Sequence, residues 1–166
     1  MKKISILFLL PVLFLAGCAT TTPKDYKIEF TMESVRSYKQ TIEIGSDKSF
    51  SIRQQDMYFD SYAQKSQINT AQGKLTDEEY AELTKLVANS RIFGMKDVYG
   101  FQKTDSTTAA PFEGIMYQLK YTEGNKTKTI LIRPNQDNTY PGKFPQLLQF
   151  LGAYLSEHLQ KNESTR

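Results

Sequence analysis

Alternation of apolar and polar residues with a period of two recurs along this chain and restricts its fold more than any other feature. Ile28, Phe30 and Met32 alternate with Lys27, Glu29 and Thr31. Ile42 and Ile44 continue the pattern within Lys39–Ile44, and Phe50 and Ile52 repeat it after the turn cluster Gly45-Ser46-Asp47-Lys48. Successive side chains of a strand point to opposite faces, so these segments are strands with one face buried and the other in water. That pattern belongs to antiparallel sheet, since strands of a parallel sheet are covered on both faces and read as continuous apolar runs. Ile115, Tyr117, Leu119 and Tyr121 alternate in the same way. Glu123-Gly124-Asn125-Lys126 then turns the chain, and Thr127–Arg133 returns with Ile130 and Ile132 on one side. Two hairpins follow from these pairs, with Tyr26–Met32 as an additional strand. An irregular stretch from Gln54 leads to an expected exposed strand near Ser66–Lys74.

Two helices complete the pattern. Thr76 is a good N-cap, and Glu79 three residues on can close a capping box. Leu75 and Tyr80 occupy hydrophobic-staple positions, while Asp77, Glu78 and Glu79 suit the positive end of the helix dipole. Leu83, Leu86 and Val87 then share a face. Phe144, Leu147, Leu148, Leu151, Tyr154, Leu155 and Leu159 trace a second amphipathic helix, expected to end near Gln160. The resulting class is α+β: an antiparallel sheet of two hairpins plus extra strands, with two helices packed on one face. Residues 26–160 form this single domain, and 161–166 are read as a polar tail. The helix opening Leu75-Thr76-Asp77-Glu78-Glu79, followed by Asp97-Val98-Tyr99-Gly100, is similar to small secreted bacterial domains of unknown function. That resemblance implies a fold and no activity.

Residues 1–17 have the organisation of an export signal. Lys2 and Lys3 precede a 12-residue apolar stretch, Ile4–Leu15, which as a helix would reach only ~18 Å against a hydrocarbon core of ~30 Å. Leu15-Ala16-Gly17-Cys18 resembles a bacterial lipobox. The resemblance implies transfer of a diacylglyceryl group to the Cys18 sulfur, cleavage after Gly17 and often acylation of the new amino terminus. Ala19, by likeness to sorting patterns in Gram-negative lipoproteins, implies the outer membrane; a Gram-positive source would remove that inference. Residues 18–25 are expected to be a flexible tether, polar and interrupted by Pro23. Cys18 is the only cysteine, so the exported domain has no internal disulfide and rests on its core.

Cleavage also changes the charge. Lys2 and Lys3 leave with the leader and no acid does, so the formal charge of +3 falls to +1 against 18 acidic residues. That balance gives no footprint for nucleic acid. Nor do the residues name a reaction. His158 is the only histidine and is read as a helix-end residue favoured by the dipole. Without a second histidine or a free thiol, neither a zinc site of usual composition nor a Cys–His dyad is expected. No Gly-x-Ser-x-Gly and no phosphate-cradling glycine loop occur. Asp56 with Asp60, or Glu29 with Glu33, could pair as glycosidase carboxylates only by being acidic. Asn135, Asp137 and Asn138 read as a polar turn rather than a calcium loop. No cofactor or metal is expected. Two segments carry hints of binding: the aromatic group Met57, Tyr58, Phe59 and Tyr62, and the long loop Phe101–Phe112. The expectation is a non-enzymatic, lipid-anchored envelope module with an envelope protein as partner. The competing reading is a lipid-tethered inhibitor or a binder of small ligands or glycans.

Overall fold

A computed structural model describes residues 25–34, 37–56, 68–100, 114–135 and 137–163, the side chains of 56 and 160–163 excepted. Its strands are β1 (Tyr26–Ser34), β2 (Tyr38–Gly45), β3 (Ser49–Asp56), β4 (Ile68–Lys74), β5 (Val98–Tyr99), β6 (Ile115–Glu123) and β7 (Lys126–Ile132). Its helices are α1 (Asp77–Asn89) and α2 (Phe144–Glu163), with a single 3₁₀ turn at Ile92–Gly94. All strands join one seven-stranded sheet in the order β4-β3-β2-β1-β6-β7-β5. The fold is α+β, and the sheet is antiparallel except for β5, which runs parallel to β7. Both turn-linked pairs form hairpins, β2–β3 and β6–β7. The exposed strand near Ser66–Lys74 is β4, at the sheet edge.

Register converts the sequence alternation into two chemically different faces. Phe30 lies opposite Ile42 and Leu119, Ile42 opposite Ile52, and Leu119 opposite Ile130. All five are at most 1% exposed, a continuous apolar row against which α2 lays Phe144, Leu147, Leu151 and Leu155. Leu83 and Val87 of α1 join the same core. Among the described residues, no helix is long and apolar enough to cross a membrane.

The start of α1 is made as its sequence dictates. The Thr76 hydroxyl accepts the Glu79 amide at 3.2 Å, and the Glu79 carboxylate accepts the Thr76 amide at 2.7 Å. Leu75 is buried and Tyr80 packs on the core. Tyr80 also stacks on Tyr26 with ring centres 6.2 Å apart and donates to the Ser46 carbonyl at 2.9 Å. Thr76→Ala removes one acceptor and loosens the other, and is expected to lower stability by about 1 kcal/mol. Urea denaturation would register this as a lower midpoint at unchanged slope.

The end of α1 is fastened to the start of α2. The Lys143 amide donates to the Asn89 carbonyl at 3.1 Å. Gly142 permits this approach: its φ is 55°, and a Cβ there would lie 2.0 Å from the Asn89 oxygen. α2 runs three residues beyond the expected end at Gln160, so Lys161–Glu163 are helix rather than tail. Their polar side chains gave no apolar stripe to extend, yet nothing among them breaks a helix.

Candidate functional site

The antiparallel ladders give the sheet two distinct ends. At the first lie Asp25, the hairpin turn between Gly45 and Ser49, the passage from Lys74 into α1, and the turn at Gly124-Asn125. At the second, Ser34 pairs with both Tyr38 and Ile115, Gln55 pairs with Ile68, and Tyr99 and Tyr117 both pair with Ile132. β1 spans the distance, about 26 Å at the rise of a strand.

The second end carries a mainly apolar groove of about 640 Å³, lined by Tyr117, Ile132, Pro134, Tyr140, Pro145 and Leu148, with Asn135 also among the lining residues. Each element contributes for a local reason. Tyr117 and Ile132 are opposite residues of the β6–β7 ladder. Pro134 and Tyr140 come from the connection into α2, and Pro145 from the first turn of α2, where a proline lacks only an amide that would have no helical partner. Tyr140 is fixed on three sides. Its ring centre lies 5.0 Å from Tyr99 and 5.6 Å from Phe144, and its hydroxyl accepts from Asn138 Nδ2 at 2.9 Å. Asn138 Nδ2 also donates to the Arg133 carbonyl at 2.8 Å. Burial pushes the phenols of Tyr117 and Tyr140 above their ordinary value, so neither serves as a base at neutral pH. The described lining holds no carboxylate, imidazole or thiol. Such a groove can take up an apolar side chain against its tyrosine and proline rings.

Cys18, the aromatic group Met57, Tyr58, Phe59 and Tyr62, Asp60 and the loop Phe101–Phe112 lie outside the described residues. The attachment points of two of these segments are described, and both are at the second end. Segment 57–67 leaves from Asp56 and returns at Ile68, and segment 101–113 leaves from Gly100 and returns at Gly114. Glu29 and Glu33 share the water-facing side of β1 but sit four residues apart, about 13 Å on a strand. Acid–base carboxylates in a glycosidase stand roughly 5–9.5 Å apart. Each meets a lysine instead, Glu29 with Lys120 at 3.6 Å and Glu33 with Lys39 at 3.8 Å. Asn135 accepts the Asp137 amide at 3.2 Å, the side-chain turn its sequence suggests. Among the described residues, no three His, Cys, Asp or Glu side chains gather as metal ligands.

His158 makes ring contacts that its place near the end of α2 does not show. It is stacked on Tyr154 with centres 4.2 Å apart and edge-on to Phe50 at 5.0 Å. Its imidazole packs across the α2–β3 contact, and its Nδ1 lies 3.0 Å from the Tyr154 carbonyl. The groove itself was not legible in sequence. Its one signal was three prolines and a tyrosine within Arg133–Pro145, which also describes an ordinary loop. No family model matches this chain, and no curated protein shows significant similarity to it.

Proposed function

We propose that this chain is a non-enzymatic, lipid-anchored cell-envelope protein. In this reading its domain holds another envelope component at the end of the sheet farthest from the anchor. The supporting observation is the polarity of the sheet. The chain enters β1 at Asp25, while the apolar groove and the attachment points of segments 57–67 and 101–113 lie at the opposite end. A tether through Cys18 would therefore join the sheet at the end opposite the groove. Ala19 favours the outer membrane as the site of anchorage. A groove lined by tyrosine, proline and leucine suits an apolar or aromatic anchor from a partner, the residue types that dominate interface energetics.

The test is site-specific crosslinking in intact cells. A photoreactive residue is placed at exposed Pro134 or Pro145, and in parallel at exposed Asn125 on the anchor end. The expected result is a discrete protein adduct from the groove positions and none from Asn125. The same diffuse pattern from all three positions, or no adduct at all, would count against the reading.

A further inference from the structure

The sheet face opposite the helices holds a second site, with chemistry unlike that of the groove. Register places its side chains in rows. Gln118, Thr31, Thr41 and Arg53 form one row across β6, β1, β2 and β3. The neighbouring row toward the anchor end includes Glu29 and Glu43, and the row on the other side includes Lys39. Thr31 is only 7% exposed although it lies on the water-facing side, and its hydroxyl is 3.1 Å from that of Thr41. Short hydroxyl side chains therefore form the floor of a trough of about 380 Å³, with long charged side chains rising around it.

Two features of this trough are not needed by the fold. Glu29 and Glu43 face each other directly across β1 and β2, and like charges in that position destabilise a sheet. Lys120 and Lys27 hold them from outside, at 3.6 Å and 2.6 Å. The second feature is Arg53. On this face Lys27, Lys39 and Lys120 each have a carboxylate partner, whereas Arg53 has none among the described residues. The trough thus sets a paired-acid wall beside a guanidinium with no carboxylate partner among the described residues, with the Thr31 and Thr41 hydroxyls between them. Diagonal neighbours on a sheet lie ~7–8 Å apart, a span that two or three peptide units cover at about 3.3–3.6 Å each.

We infer that this trough binds a small amine–carboxylate zwitterion, namely a short peptide with free termini. Its carboxylate lies on the Arg53 guanidinium and its ammonium between Glu29 and Glu43. A guanidinium fork matches a carboxylate with two parallel hydrogen bonds. The Thr41 hydroxyl, on the strand between, offers a donor and an acceptor to the peptide groups between the charges. The inference is independent of the groove and of any partner held there.

Titration of the full chain in detergent micelles with trialanine, followed by amide chemical shifts, tests it. Saturable shifts confined to β1, β2 and β3 are expected below about 10 mM. C-amidation of the peptide or Arg53→Gln should weaken binding by roughly tenfold or more, and Arg53→Lys by less. N-acetylation or Glu43→Gln should weaken it severalfold. Arg53 and Glu43 are surface residues, so unchanged amide spectra outside the trough certify the fold of each variant. Absence of saturable shifts overturns the proposal. So does equal binding of either blocked peptide, or undiminished binding by Arg53→Gln.

Discussion

Phe30→Ala is expected to destabilise the protein by about 3–5 kcal/mol. Phe30 is 1% exposed on β1, the central strand of seven. Ile42 and Leu119 lie directly opposite it on either side, and the Tyr117 ring centre is 5.7 Å from its own. Removing the ring forfeits its transfer free energy and leaves a cavity. Collapse into that cavity is resisted because β1 is held by ladders to both β2 and β6 over its whole described length. A domain of this size has a total stability of about 5–15 kcal/mol, so the change removes a large share of it. Tm should fall on the order of 10 °C, and the urea midpoint should fall with little change of slope. A loss below about 1 kcal/mol would mean that the ring is not enclosed as described.

The same residue shows why so much of this fold was legible. Phe30 sits in a strict alternation, and one face of its strand is wet, so a period of two could be read directly from the chain. The capping box at Thr76 and Glu79 was equally readable because its two hydrogen bonds span only three residues. Features that depend on distant residues were not readable. β5 has two residues, Val98 and Tyr99, too few to show any period. It is a strand because the Arg133 amide donates to the Tyr99 carbonyl at 3.0 Å and the Tyr99 ring packs on Tyr140. Its parallel pairing with β7 is the one departure from the expected antiparallel sheet among the described strands. The contact of His158 with Phe50 was hidden for the same reason, since Phe50 lies on another element more than a hundred residues away. The trough shows the limit most clearly. Thr31, Thr41 and Arg53 are ordinary strand residues in sequence, and only the register of β1, β2 and β3 makes them neighbours.

Cys18→Ser should have an all-or-none effect on anchorage if the proposed lipobox is correct. Lipid attachment at this position requires a thiol, and Cys18 is the only one in the chain. Each buried methylene contributes ~0.8 kcal/mol and a single acyl chain holds only marginally, so stable retention depends on the two or more chains that modification of Cys18 brings. The serine variant should incorporate no labelled palmitate and accumulate as a larger, unprocessed species, both read on one gel. Normal cleavage and membrane retention of the variant would refute the lipobox. The domain itself should be indifferent to the change. Its core is assembled from Tyr26 onward, and a lone cysteine leaves no disulfide to lose. Thermal melting monitored by circular dichroism should therefore be unchanged while anchorage is abolished. That separation follows from the architecture: every described element of the sheet and its core, from β1 at Tyr26 onward, lies after the residue that would hold the protein to its membrane.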